Sequence, residues 1–178
     1  MSKKRKGMIS VYVFMTNGTI DYLQRLRSQY ANEHMLLVYD EDNGMLIHET
    51  EGTSVFHEPR PYEVLDAVGS FGGTFVVCNN IPVTDEGRPL FEHRFQQRAR
   101  LIEKEPGFVA IRVLRPLKSD TYVIMTMWEN ESAFRRWQQS KAYERAHQKR
   151  GTEEGIDQQR SIFPRPSYVT TYAVVKEG

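Results

Sequence analysis

Three side chains carry types and positions that suit chemistry. Phe75, Val77, Asn79, Ile81 and Val83 alternate along the segment Phe71 to Val83, so they share one face of a strand, and Asn79 is the polar member. A buried amide needs partners for its carbonyl and both N–H donors, and an aliphatic residue suits a packed strand better. Asn79 therefore either meets a bound group or sits past the core edge, where it satisfies a bend. Trp137 follows Phe134 by three residues and shares its side of a helix, with Arg135, Gln138 and Gln139 on the exposed side. Taken alone, it reads as a core aromatic, since an aromatic pair at helical spacing more often packs than catalyses. His147 lies beside the apolar stripe of Ala142, Tyr143 and Ala146, where a neutral imidazole is a satisfied core histidine or a metal ligand. Of the other histidines, His93 falls opposite Phe91 and Phe95 and should meet water. His34, His48 and His57 fall at strand ends or in loops, and no pair has ligand spacing.

Other chemistries lack residues. Gly69-Ser70-Phe71-Gly72-Gly73 precedes a strand instead of opening a helix, so no nucleotide cofactor is expected. There is no Gly-x-Ser-x-Gly elbow, and Cys78 alternates away from the Asn79 face without an evident base. No Cys/His cluster has zinc spacing, and a single cysteine cannot form an internal disulfide, which points to a reducing, cytoplasmic setting. With 24 Lys+Arg against 23 Asp+Glu the formal charge is +1, which gives no global field for nucleic acid or an anionic membrane surface. No apolar run approaches the roughly 20 residues of a membrane span, and the apolar segment after Lys3-Lys4-Arg5-Lys6 reads as a strand, not a signal peptide. At 39% hydrophobic and 26% charged, the 178 residues suit a globular protein.

The elements that must position these side chains follow from periodicity. Met8 to Met15 predicts a strand ended by Asn17-Gly18, and Ile20, Leu23 and Tyr30 predict an amphipathic helix over about 19–30. Met35 to Tyr39 and Met45 to His48 flank Asp42-Asn43-Gly44 and predict a hairpin. Tyr62 to Val68 predicts a short helix. Phe71 to Val83 predicts a strand, and a helix begins near Pro89 and carries Phe91, Phe95, Arg98 or Ala99, and Ile102 on one stripe. Phe108 to Leu114 and Thr121 to Trp128 predict strands, and Asn130 caps a helix through Phe134 and Trp137. Ser140 caps a second helix over 141–148, and a polar stretch over 149–166 leads to a last strand, Tyr168 to Val175. The C-terminal half, 71–178, is thus β-α-β-β-α-β, an α+β ferredoxin-like order. The N-terminal half, 1–70, is β-α-β-β-α, a degenerate ferredoxin-like unit without its own fourth strand, with the strand at 71–83 serving both halves.

Residues 71 to 175 resemble the antibiotic biosynthesis monooxygenase (ABM) superfamily and, within it, the Isd-type heme-degrading monooxygenases. The resemblance is carried by Val77-Cys78-Asn79-Asn80, by Glu105-Pro106-Gly107-Phe108, and by the run from Met127-Trp128 through Phe134-Arg135-Arg136-Trp137, Ser140 and Tyr143-Glu144-Arg145-Ala146-His147. It implies a dimeric α/β barrel-type domain with an Asn, Trp and His triad, here Asn79, Trp137 and His147, and with Phe95 as a pocket-lining aromatic. Members of about 100 residues pair as homodimers. The additional N-terminal half is similar to that of the longer two-part members and implies a monomer built as an internal pseudo-dimer, or a homodimer.

What the resemblance implies chemically is heme degradation with O2 and an external electron donor, a reductase or small reductant, and release of iron. His147 would be the axial iron ligand, with the opposite position open. Asn79 would hydrogen-bond on that open side, and Trp137 would press on the porphyrin. Three alternatives remain: a cofactor-free ABM monooxygenase acting on a quinol or polyketide, a non-enzymatic heme-binding or signal-transduction module, and a structural reading in which the N-terminal 70 residues form a protein-interaction surface.

Overall fold

A computed structural model describes residues 9–41, 43–97, 100–140 and 161–176. Eight antiparallel strands close into a barrel: β1 (Tyr12–Gly18), β2 (His34–Asp40), β3 (Asn43–Thr50), β4 (Arg60–Val68), β5 (Phe75–Pro82), β6 (Phe108–Pro116), β7 (Thr121–Trp128) and β8 (Tyr168–Val174). Around the barrel the order is β1-β3-β2-β8-β5-β7-β6-β4. Each run of four consecutive strands therefore has the same internal order, fourth-first-third-second, which is that of a ferredoxin-like sheet. The two sheets meet edge to edge at β2–β8, with two register pairs, and at β4–β6, with six.

Among the described residues three α-helices lie outside the barrel: α1 (Ile20–Gln29), α2 (Arg88–Gln96) and α3 (Glu131–Gln138). The predicted caps are in place. Thr19 Oγ1 accepts from Tyr22 N–H at 3.2 Å, and Asn130 Oδ1 accepts from Ala133 N–H at 2.9 Å, each satisfying a donor that the first helical turn leaves open. Pro89 sits in the first turn of α2. Gly107 has φ +86°, and a Cβ there would lie 2.4 Å from Ala133 Cβ, so glycine lets the start of α3 dock against the turn before β6. Among the described residues no helix is long and apolar enough to cross a membrane.

Side chains alternate between the barrel interior and its outer face. Val13, Met15, Val38, Ile47, Val76, Cys78, Leu114 and Met125 fill the interior, where burial pushes the Cys78 thiol up to about 12 and keeps it protonated. Arg112 is buried with them and is held by Glu49 at 2.5 Å and by the Val68 and Ile111 carbonyls.

Four expectations need correction. The segment Tyr62 to Val68 belongs to a strand, β4, and not a helix; it pairs with β1 and β6 and supplies the fourth strand the N-terminal half was expected to lack. Accordingly β5 serves one sheet, between β7 and β8. Asn17-Gly18 continues β1 to its pairing with Met45 and Gly44, and the hairpin closes at Asp40 and Asn43, so Asn43-Gly44 opens β3 instead of turning. The helix from Pro89 ends at Gln96, and Ile102 belongs to a separate 3-10 turn, Ile102–Lys104.

Candidate active site

β5 places its odd-numbered side chains on the outer face. Phe75 and Val77 pack there with Trp128, Ala133, Phe134 and Trp137, while Val76 and Cys78 point into the barrel. Asn79 follows Val77 on that outer face. Its register partners are Val169 on β8 and Ile124 on β7, so the row Val169, Asn79, Ile124 crosses three strands on one side of the sheet.

The two adjacent asparagines behave differently. Asn80 Nδ2 donates to the Cys78 and Tyr168 carbonyls, both at 3.2 Å, and to Thr170 Oγ1 at 3.1 Å, and so ties β5 to β8. Asn79 Oδ1 is buried, and no described residue donates to it. An unmet acceptor of this kind costs on the order of 1–3 kcal/mol, and turning the amide over would present an N–H in the same place. Beside it Val169 is 55% exposed, so the row opens to one side. An orphaned amide on an apolar, partly open face suits a planar apolar ligand that carries one polar centre.

Trp137 is 8% exposed, and its ring centroid lies 6.0 Å from that of Trp128 and 6.3 Å from that of Phe134. Trp137 thus packs as a core aromatic, in the cluster that also holds Val77 of β5. Trp128 is fully buried, and its Nε1 donates to Thr126 Oγ1 at 2.9 Å, which gives it a structural place. Phe95 on α2 packs with Phe91, Ile81, Ile124 and Val113 and so covers the same outer face on the other side of Asn79. His93 is exposed, as expected. His147, Arg145 and the helix expected over 141–148 lie outside the described residues.

Two features escaped the sequence reading. One is a cavity of about 170 Å³ where α2 meets β4 and β6, lined in part by Leu65, Phe95 and Val113. Above it Glu92 joins Arg115 (2.5 Å) and Tyr122, and Arg115 also joins Glu63 on β4 at 2.7 Å. Burial disfavours the Glu92 carboxylate, but hydrogen bonds from Arg115 and Tyr122 outweigh burial and hold its pKa below the ordinary value. Burial first, and then the Glu92 hydrogen bond, push the Tyr122 phenol up. The other feature is His48. It is fully buried in β3, not at a loop edge, because Glu33 Oε2 lies 2.9 Å from its Nε2. No spacing signal joins residues 33 and 48, since the contact forms across two strands.

Comparison with known proteins places this geometry. The family model described as antibiotic biosynthesis monooxygenase matches residues 74–149. A heme-degrading monooxygenase of Listeria monocytogenes is 29% identical over 129 residues, 72% of this chain and 77% of the relative. The signal transduction protein TRAP of Staphylococcus aureus is 26% identical over 138 residues, 74% of this chain and 79% of the relative. A solved structure of a major regulator of staphylococcal pathogenesis superposes with a TM-score of 0.78 at 22% identity, covering 92% of this chain and 98% of that one, and shows the shared fold.

Proposed function

Because residues 74–149 match the antibiotic biosynthesis monooxygenase family model, we propose that this chain is a heme-degrading monooxygenase that binds heme on the outer face of its second sheet. The observation that carries this reading is the orphaned Asn79 carbonyl, buried on an apolar face between Trp137 and Phe95. Bound heme, the substrate, supplies the iron at which O2 reacts with electrons from an external donor, and ring opening then frees the iron. The protein residues bind and orient. His147 would hold the iron from one side. Asn79 would offer the bound heme one hydrogen bond, which would favour reaction at one part of the ring. Trp137, fixed by Trp128 and Phe134, would give a rigid indole wall that keeps water out and bears on the porphyrin. The heme-degrading relative from Listeria supports the substrate class. In this reading the halves 1–70 and 71–178 form an internal pseudo-dimer, and the chain acts in a reducing compartment with a reductase or small reductant as partner.

A second reading, a heme-binding or signalling module without turnover, is favoured by the similarity to the staphylococcal signal transduction protein. One experiment separates them. Purified protein is titrated with hemin and then given ascorbate in air, with catalase present. The monooxygenase reading expects saturation near one heme per chain, followed by loss of the Soret band and release of iron. A saturated complex that persists would select the module. Absence of saturable binding would defeat both and return the chain to cofactor-free monooxygenase chemistry.

A further inference from the structure

Resting on the heme reading, we propose that Thr126 of β7 is a second hydrogen-bond donor of the candidate site, so that its hydroxyl and the Asn79 amide together grip one acceptor atom of the bound group. The two side chains are neighbours by register. Val77 pairs with Thr126 and Asn79 with Ile124, so Asn79 and Thr126 stand diagonally across β5 and β7 on the same outer face. Diagonal neighbours in antiparallel strands have Cβ atoms about 7 Å apart. A single ligand atom about 2.9 Å from each polar group fits that span.

Trp128 decides where the Thr126 proton goes. An indole N–H only donates, and Trp128 Nε1 lies 2.9 Å from Thr126 Oγ1, so the threonine oxygen must accept there. Its own O–H is left to point elsewhere, and no described residue accepts it. Thr126 is 6% exposed, so this spare donor is enclosed. The indole that orients it is fixed in turn, with the Phe108, Phe134 and Trp137 ring centroids at 5.9, 5.7 and 6.0 Å. On the β8 side Thr171 has the same diagonal relation to Asn79, but no described residue orients its hydroxyl.

Asn79 brings the matching group. Its Oδ1 is buried without a donor, and a half-turn of the amide puts Nδ2 in that place. A ligand atom with lone pairs and no proton draws the nitrogen to that side, and two donors then face one point. Oxygen gains negative charge as it takes up electrons from the external donor, and two fixed donors in an enclosed place stabilise that charge better than one. The site is thereby selective for a small, electron-rich, unprotonated group, with Thr126 positioned through Trp128.

The test loads the full chain with hemin. The ferric complex is titrated with azide and fluoride, anions that bind ferric heme and accept hydrogen bonds, and the reduced complex with carbon monoxide, a poor acceptor. Thr126→Val keeps the shape and removes the hydroxyl; it should weaken both anions about tenfold while carbon monoxide changes less than about twofold. Thr126→Ser should restore the anions, and Thr171→Val should leave them within about twofold of wild type. Asn79→Leu should weaken them as Thr126→Val does, and the double variant by well under the product of the two losses, because both groups hold one atom. Trp128→Phe reads the same donor from the indole side and should weaken the anions in the same direction, and the thermal midpoint of each variant reports its folding. Unchanged azide affinity in whichever of Thr126→Val and Trp128→Phe folds, a loss shared equally by carbon monoxide, or tighter azide binding by Asn79→Leu would overturn the paired donors while leaving the heme reading intact. Wild type that binds no hemin would overturn the heme reading, and the paired donors with it.

Discussion

The outer faces of the two sheets share a strand order, and each holds a buried polar side chain with one unmet atom, but the surroundings differ. On the first sheet His48 is fully enclosed: Glu33 meets its Nε2 at 2.9 Å while its Nδ1 has no partner among the described residues, Phe56 lies 5.7 Å and Phe14 6.4 Å away between ring centroids, and Leu23 of α1 packs with Leu37 and Leu46 beside it. On the second sheet Asn79 keeps an unmet carbonyl next to the exposed Val169. The covering helices differ to match. α1 is held by apolar packing of Ile20, Leu23 and Leu26, whereas α2 adds a charged anchor, Glu92 to Arg115 on β6 and Tyr122 on β7. A face that is filled to its edge gains stability and loses the capacity to bind. A face left open must secure its helix from the rim instead. One ligand per chain is the stoichiometry that this contrast implies.

Removing filling from the sealed face should have the largest effect on stability and none on binding. Leu46→Ala is expected to cost about 3 kcal/mol, read from the denaturant midpoint at unchanged slope, with hemin affinity and one-to-one stoichiometry retained. A second heme bound by this variant, or loss of binding, would show that the two faces are not independent.

Glu92→Gln tests the rim anchor and should cost about 2 kcal/mol at neutral pH. Because the folded pKa of Glu92 is lowered, its stabilisation is present above the ordinary carboxylate value near 4.3 and is lost as pH falls through the folded pKa. Wild type should therefore lose stability below about pH 4.3 more steeply than Glu92→Gln, and parallel acid profiles would count against the anchor. The smallest expected change is at the open face and has the opposite sign. Asn79→Leu removes an unmet buried acceptor and should raise stability by about 1 kcal/mol while heme turnover falls. A destabilised Asn79→Leu would mean that the amide has a structural partner and that the second face is as closed as the first.

Segments whose local pattern agreed with their final place were legible in the sequence. α1, the strands β6 and β7, and the Asn130 cap of α3 each bury the face that their periodicity marks. β4 was misread for a definite reason. Tyr62 and Val64 point inward, but the extra residue at the bulge leaves Leu65 and Asp66 both outward, and the break in alternation imitates helical spacing. The early end of α2 and the burial of His48 were equally hidden, because both depend on partners distant in the chain.

Residue types and alternation by themselves put Asn79 and Cys78 on opposite faces of their strand and Trp137 on the Phe134 side of its helix, because strand and helix periods are local properties of the backbone. Tertiary structure alone decided that β4 closes a barrel, that Leu65 and Asp66 border the cavity beneath Phe95, and that the Asn79 carbonyl has no donor among the described residues while Asn80 has three acceptors. The reason is physical: whether a polar atom is met or orphaned depends on which strands become neighbours, and strand pairing across a barrel is set by burial of both sheets together.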